Sequence, residues 1–150
     1  MRAVLQRVSS ANLVINEEEY SSINQGLLVL LGICDDDEKE DILWLVKKIT
    51  QMRLFADEEG KMNLSVEDIG GEILVVSQFT LYASTKKGNR PSYIKAAKPD
   101  YANEMYEAFV SKLKNDFKGK VATGVFAADM KITLCNDGPV TIIIDSKNKE

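Results

Sequence analysis

Two hydroxyl groups and an amide interrupt an apolar stretch in the middle of the chain. The sequence ILVV runs directly into Ser77-Gln78-Phe79-Thr80 before apolar residues resume. Buried polar groups must be hydrogen-bonded, because each unpaired group costs roughly 1–3 kcal/mol. In a regular strand Ser77 and Thr80 point to opposite faces. The pattern therefore indicates either cross-strand hydroxyl pairing or a strand that ends, bends or bulges at Gln78-Phe79 to present both hydroxyls to one pocket.

A basic loop follows this segment. The sequence KKGNRPSY places Lys86, Lys87 and Arg90 around a Gly-Asn turn signal. Such a loop is typical either of a phosphate contact or of a solvated hairpin end. The net charge of −4 argues against general electrostatic gripping of nucleic acid, which usually needs a basic face.

A Gly-Pro pair precedes the last apolar run, in NDGPVTIIID. The β-branched residues after Pro139 predict a strand. Proline lacks the ladder N–H and is confined to strand starts, edges and bulges. By composition, Gly138-Pro139 therefore marks the start of the last strand.

The chain contains no histidine. This excludes Ser-His-Asp and Cys-His catalysis and removes the commonest zinc ligand. Cys34 and Cys135 lie in apolar, strand-like contexts without metal or disulfide spacing, so we expect core thiols. An enzyme built from this chain must use carboxylates, Lys, Tyr, hydroxyls, backbone dipoles or a group of its substrate, and we expect no metal and no cofactor.

The elements that must position these residues follow from periodicity. A first helix is predicted to begin in the acidic patch 35–41, whose carboxylates complement the helix dipole, and a second begins near Pro99. Strands are predicted over residues 1–8, 11–15, 27–33, 73–82, 120–126, 131–135 and 140–145. We predict one α+β domain over residues 1–150, with a largely antiparallel, barrel-like sheet and two main helices. The chain has no apolar run of about 18 residues and no apolar signal-peptide core, so we expect it in the cytoplasm.

Five segments together resemble the D-aminoacyl-tRNA deacylase family, formerly called D-Tyr-tRNA deacylase. They are MRAVLQRVSSANLVI, RLFADEEGKMNLSV, SQFTLYA, KKGNRPSY and NDGPVT. The resemblance covers essentially the whole chain in order, and SQFTL and N-x-GPVT are the family's two signatures. One departure is Ala127, where many relatives carry glycine; we expect it to tighten the local backbone.

The resemblance implies an esterase that removes D-amino acids, and mischarged glycine, from the 3′ end of tRNA. It also implies a homodimer with active sites at the interface. In such a dimer Gly138-Pro139 would be joined by a cis bond and inserted into the partner's pocket. The residues alone favour a trans bond, because only about 5–6% of X-Pro bonds in folded proteins are cis.

The same resemblance assigns roles within the site. The segment Ser77-Gln78-Phe79-Thr80 would hold the ester, with backbone N–H groups around Phe79 and Thr80 polarising the carbonyl. The carbonyls of Gly138-Pro139 would accept hydrogen bonds from the α-ammonium, and an L residue would collide with backbone. Thr80 is the family's candidate nucleophile, but without a histidine base we expect it to orient the substrate.

Further contacts are expected around this centre. Ala102 and Met130 would line the terminal adenine pocket by the same resemblance, and Lys86, Lys87 and Arg90 are our own candidates for tRNA phosphate contacts. Two alternatives stay open. The first is a nucleic-acid-binding module without hydrolysis, since some eukaryotic relatives are associated with DNA at replication origins. The second is a general hydrolase of small esters.

Overall fold

The computed structural model of the chain describes residues 1–150. In chain order its elements are β1 Arg2–Ile15, β2 Glu18–Ile23, β3 Gly26–Gly32, α1 Lys39–Gln51, β4 Phe55–Ala56, β5 Met62–Leu64, β6 Glu72–Ser77, a 3₁₀ helix Phe79–Tyr82, α2 Pro99–Asp116, β7 Val121–Thr123 and β8 Lys131–Asp145. Neither α1 nor α2 is long and apolar enough to cross a membrane.

The long strand β1 organises the main sheet. It pairs antiparallel with β8 along most of its length, and with β3 and then β2 on its other side. The strands β3, β6 and β7 continue the sheet in parallel, because helical connections return the chain to the same edge. The predicted α+β class, with two helices and a barrel-like, largely antiparallel sheet, is confirmed.

Both helices pack against one face of this sheet, where 23 buried residues form the larger hydrophobic cluster. The stripe of α1 includes Leu45 and Ile49, and that of α2 includes Phe109 and Leu113, all four fully buried. Eight further buried residues form a smaller cluster on the other side of the sheet. The apolar stripes of both helices therefore face the core.

The acidic patch 35–41 divides into two parts at the start of α1. The helix begins only at Lys39, and the Asp41 carboxylate accepts a hydrogen bond from Glu38 N at 2.8 Å. Asp37 lies before the helix and is fully buried, where its carboxylate binds the α-ammonium of Met1. The prediction that the first helix begins within the patch 35–41 is confirmed, and residues 35–38 lie before its first turn.

Three further strand predictions are corrected. The segments 1–8 and 11–15 form one strand, and β8 runs without a break through the segment predicted to separate two strands. β2 was not predicted, because EEYSSI lies at the sheet edge and lacks apolar alternation.

Cys135 is exposed and Cys34 only half-buried, so the expectation of two core thiols is wrong.

Candidate functional site

The strand β6 ends where polar residues interrupt the apolar run. Gln78 N donates to Leu31 O at 2.8 Å, and the chain then enters the 3₁₀ helix. The prediction of a strand over 73–82 is therefore wrong beyond Ser77. The first hydrogen bond of the helix runs from Leu81 N to Gln78 O at 3.2 Å. The N–H groups of Phe79 and Thr80 precede it and have no partner within the turn.

A pocket of about 610 Å³, here called the central pocket, opens beside this strand end. Ser77, Gln78 and Phe79 line one side, and Ala102 and Met130 line it as well. Five of the predicted site residues are thus brought together, although they lie on three separate parts of the chain. Thirteen of its 17 lining residues are hydrophobic, so the polar groups of the strand end face an apolar slot.

Thr80 does not line the central pocket, but it is tied to a residue that does. Its Oγ1 accepts a hydrogen bond from Gln78 Nε2 at 2.5 Å. This bond fixes the side chains of Gln78 and Thr80 relative to each other. No histidine, lysine or carboxylate is hydrogen-bonded to the Thr80 hydroxyl.

Few ionisable side chains line the central pocket; the two that do are Tyr93 and Asp129. The Asp129 carboxylate is exposed and pairs with Lys131 Nζ at 3.0 Å. No group of three or more His, Cys, Asp or Glu side chains is placed to hold a metal ion. What the site can offer a substrate is therefore hydroxyl, amide and backbone N–H groups beside an apolar wall.

An aromatic pair stands at the mouth of the central pocket. The Phe79 and Tyr93 rings contact edge to face, with centroids 5.0 Å apart at 72°. Both remain well exposed, at 56% and 40%. Sequence reasoning did not assign a role to Tyr93, although an aromatic residue directly after a basic loop was a usable signal.

The turn 126–130 forms a further wall. Ala127 has φ 62°, a left-handed conformation that costs an alanine about 1–2 kcal/mol. Met130 packs back towards Gly124, where an added Cβ would overlap the Met130 sulfur. Met130 also contacts the smaller hydrophobic cluster, so it serves both the core and the central pocket.

The Gly-Pro pair lies in the middle of β8, so the prediction that it starts a strand is wrong. On β1, Gln6 pairs with Thr141 and Val8 pairs with Asn136, which leaves residues 137–140 without ladder partners. We call these four residues the Gly-Pro bulge. The Gly138-Pro139 bond within it is cis, and Gly138 has φ +135°.

Side chains on both strands hold the Gly-Pro bulge in place. Asn136 Oδ1 accepts from Val140 N at 3.0 Å, and Asn136 Nδ2 donates to Thr141 Oγ1 at 2.9 Å. Arg7 Nε donates to Asp137 O at 2.9 Å, while Arg7 Nη1 donates to Leu54 O at 2.7 Å. The asparagine of N-x-GPVT was visible as a turn residue. Nothing in the sequence connected Arg7 to it.

The structure does not bring the Gly-Pro bulge to the central pocket of the same chain. Gly138 and Pro139 are exposed, and neither lines the pocket. Because the register between β1 and β8 skips residues 137–140, the Gly138 and Pro139 carbonyls have no ladder partner on β1. Two predicted parts of the site thus lie apart within one chain.

The basic residues Lys86, Lys87 and Arg90 lie in an exposed loop and do not line the central pocket. Two backbone hydrogen bonds between Ser84 and Ser92, at 2.8 and 2.9 Å, close this loop. The ring of Tyr93 follows immediately. The loop is therefore anchored at the mouth of the pocket while its three cations stay in solvent.

Several known proteins are similar to this chain. The family model described as D-Tyr-tRNA(Tyr) deacylase matches residues 4–145. The chain is 60% identical over 150 residues to a D-aminoacyl-tRNA deacylase of Flavobacterium johnsoniae and 62% identical over 150 residues to one of Parabacteroides distasonis, covering 100% of each chain in both cases.

Two solved structures are also similar. One, named c-Myc DNA Unwinding Element Binding Protein, has a TM-score of 0.92 at 39% identity and covers 97% of this chain and 98% of its own. The other, described as a probable eukaryotic D-amino acid tRNA deacylase, has a TM-score of 0.79 at 19% identity, covers 95% of this chain and 97% of its own, and supports the fold alone. The resemblance read from the five sequence segments is confirmed. The chain belongs to the D-Tyr-tRNA(Tyr) deacylase family.

Proposed function

We propose that this protein hydrolyses the ester of D-aminoacyl-tRNA, and of mischarged glycyl-tRNA, releasing the free amino acid and tRNA in the cytoplasm. The observation that carries the proposal is the central pocket, where the polar end of β6 meets an apolar slot. An ester between an amino acid and a terminal adenosine needs both kinds of surface. Relatives at 60% and 62% identity carry the name of this activity.

The ester carbonyl would lie against the start of the 3₁₀ helix. The N–H groups of Phe79 and Thr80 have no partner within the turn and are fixed in direction by the backbone. Such groups stabilise the negative charge that develops on the carbonyl oxygen without reorganising during the reaction. Ser77 and Gln78 supply further hydrogen-bonding groups at the same edge of the pocket.

Thr80 orients in this mechanism and does not attack. Its hydroxyl accepts a hydrogen bond from Gln78, and no base is placed to remove its proton. The ribose 2′-hydroxyl lies next to the scissile ester and would position or activate water. A substrate with a 2′-deoxy terminal adenosine tests this step: a strongly reduced rate is expected, and an undiminished rate would exclude the 2′-hydroxyl role.

The terminal adenine would enter the apolar part of the central pocket. Ala102 is small and buried, so it leaves room for a flat ring, and Met130 offers a polarisable, adaptable wall. Outside the pocket, Lys86, Lys87 and Arg90 would contact phosphates near the acceptor end. Their loop is fixed at Tyr93, and only the tRNA tip is held, so the acidic net charge is no obstacle.

Chirality would be read by the Gly-Pro bulge of a second subunit in a homodimer. The bulge projects from its own chain, outside its own central pocket, with the Gly138 and Pro139 carbonyls free of the β1 ladder. Inserted into the partner's pocket, these carbonyls would accept hydrogen bonds from the α-ammonium. A D side chain would then point to solvent and glycine has none, whereas an L side chain would meet backbone. Selection therefore comes from rejection of the wrong enantiomer.

The basic assay is release of tyrosine from D-Tyr-tRNA, with L-Tyr-tRNA as the control. Release from the D substrate alone is expected. Release from neither would favour a nucleic-acid-binding module without hydrolysis, and cleavage of simple esters that lack adenosine would indicate a general esterase.

The shared site is tested by mixing two variants. In a heterodimer of Thr80→Ala and Gly138→Ala subunits, one composite site carries both changes and the other carries neither. Half of the dimers formed by random reassociation are heterodimers, and each of these has one intact site. The mixture should therefore reach at least about a quarter of wild-type D-Tyr-tRNA activity, above the activity of either variant homodimer. No recovery in a verified heterodimer would show that each site is built from one chain.

A further inference from the structure

A second pocket of about 520 Å³ lies beside the central pocket and is here called the flanking pocket. Phe126 lines both pockets, and on α2 the neighbours Ala102 and Asn103 line the central and the flanking pocket respectively. The ring of Tyr106, in the flanking pocket, has its centroid 6.2 Å from that of Phe126. The flanking pocket therefore adjoins the side of the central pocket assigned to adenine.

We propose that the flanking pocket binds the nucleotide directly 5′ of the terminal adenosine and that it selects cytidine there. The inference rests on the proposed function, because it takes the adenine position from it. A polynucleotide that places its last base between Ala102 and Met130 must leave the central pocket with its next nucleotide close by. The flanking pocket offers polar and aromatic groups at that place.

Tyr20 provides a stacking surface. It lies on the edge strand β2 and lines the flanking pocket, and its side chain is 53% exposed. Ser21 Oγ donates to Thr123 O at 2.9 Å and fixes this strand against β7, which borders the same pocket. Single-stranded bases stack on such rings, with about 1–3 kcal/mol per base.

Tyr106 forms a rigid floor. Burial raises the pKa of Tyr106 to about 12, so its hydroxyl stays protonated at neutral pH. That hydroxyl donates to Val75 O at 2.9 Å. The ring is thus held by the central sheet and does not need to be ordered when a base arrives.

Glu107 gives the pocket its base preference. Its carboxylate accepts a hydrogen bond from Asn103 Nδ2 at 3.3 Å and still has lone pairs free. Cytosine presents an exocyclic amino group that a carboxylate can accept, whereas uracil presents a carbonyl oxygen at the same place and is repelled. The amide of Asn115 adds a donor on the same wall.

Lys114 is placed for the phosphate that joins the two nucleotides. It lines the flanking pocket and forms no ion pair within the chain. Its neighbour Lys112 is instead paired with Asp116 at 2.7 Å. One free cation at the rim suits one phosphodiester.

The test measures binding without relying on hydrolysis. Adenosine and the dinucleotides CpA and UpA are titrated into the full-length protein by NMR. We expect UpA to bind about tenfold more tightly than adenosine, from stacking, and CpA to bind about tenfold more tightly than UpA, from base readout.

Variants assign these differences to residues. Glu107→Gln should bring CpA and UpA within about twofold of each other, while Glu104→Gln on the same helix, outside the pocket, keeps the preference. Tyr20→Ala should reduce the advantage of CpA over adenosine by about tenfold, the contribution of stacking, and leave adenosine binding unchanged.

Three results would overturn the inference. They are equal binding of adenosine and CpA to the wild-type protein, binding of neither ligand, and an unchanged preference for CpA over UpA in Glu107→Gln. Hydrolysis of D-Tyr-tRNA is scored separately on the same protein, so failure of the flanking pocket is distinguished from failure of the proposed activity.

Discussion

Replacing Gly138 with alanine tests the Gly-Pro bulge most directly. Gly138 has φ +135°, a backbone conformation that only glycine adopts readily. A Cβ there would lie 2.8 Å from Val140 Cγ2 and 3.0 Å from Arg7 Nη2. The substitution therefore combines backbone strain with a clash against the arginine that anchors the bulge.

The expected loss of stability follows from these two contributions. A residue held in a sparsely populated backbone region costs about 1–3 kcal/mol, and overpacking adds typically about 1–3 kcal/mol. The sum is about 2–6 kcal/mol. For a chain of this length each kcal/mol lowers Tm by about 2–4 °C, so a Tm loss of roughly 4–24 °C is expected by calorimetry.

A matched control separates the two contributions. Gly60 has φ +80° but no atom within 4 Å of an added Cβ, and it lies in the turn between β4 and β5. Gly60→Ala should therefore cost only the left-handed strain of about 1–2 kcal/mol. If Gly138→Ala is no less stable than Gly60→Ala at equal protein concentration, the contacts described around Gly138 are not those of the protein in solution.

Activity provides the second readout for this substitution. Displacing a positioning group by about 1 Å can cost 10²-fold in rate, so kcat/KM for D-Tyr-tRNA should fall by about 10–100-fold in Gly138→Ala. The ratio of D to L hydrolysis should fall as well, while Gly60→Ala retains both values. Wild-type rates and an unchanged ratio in Gly138→Ala would refute the assignment of this pair as the chiral filter.

Three further predictions concern stability. Asp37→Asn leaves the buried Met1 ammonium without its charged partner and should lower the free energy of unfolding in urea by about 3–5 kcal/mol. The control Asp36→Asn, at an exposed position, should lower it by less than about 0.5 kcal/mol, and equal losses in the two variants would contradict the buried ion pair. Burial alone would raise the pKa of Asp41, but hydrogen bonds, chiefly from Lys147, lower it from 3.8 to about 2. The free energy of unfolding of the wild type should therefore exceed that of Asp41→Asn by about 2 kcal/mol at pH 6. This difference should disappear as the pH falls from about 4 to 2, where Asp41 becomes protonated, and a difference that does not change with pH would exclude the linkage. Ala127→Gly removes the backbone strain at φ 62° but raises the conformational entropy of the unfolded chain. The free energy of unfolding should therefore rise by at most about 1 kcal/mol, and a decrease would show that packing of the Ala127 methyl group stabilises the fold.

Local patterns predicted the helices better than they predicted the end of β6. Pro99 marked the start of α2 because proline suits the first helical turn, and the apolar stripes of both helices face the core. The residues of the 3₁₀ helix, Phe79–Tyr82, are equally suited to a strand. In the structure this turn packs Leu81 closely on Gly32, where an added Cβ would lie 3.0 Å from the Leu81 Cβ. A contact between residues so far apart in sequence leaves no local signal.

The sequence also predicted only part of the candidate site. The polar interruption at residues 77–80 and the resemblance together indicated the residues that meet in the central pocket. Cys135 was misassigned because its apolar neighbours outweighed the strand alternation, which puts Leu134 inward and Cys135 outward. The role of Arg7 depends on the register between β1 and β8, and this register skips four residues at the Gly-Pro bulge.

The absence of histidine and the position of the Gly-Pro bulge point to the same design. A filter that accepts many D side chains can recognise only the groups that all its substrates share, namely the α-ammonium, the ester and the adenosine. Main-chain carbonyl and N–H groups suit this task because the fold fixes their directions, whereas a side chain would need its own support. The supports at the bulge serve the backbone, because Asn136 and Arg7 hydrogen-bond to main-chain atoms there, whereas the Gln78–Thr80 hydrogen bond fixes two side chains at the strand end. We therefore expect selectivity in this protein to be more sensitive to substitutions that move backbone than to those that remove a single functional group.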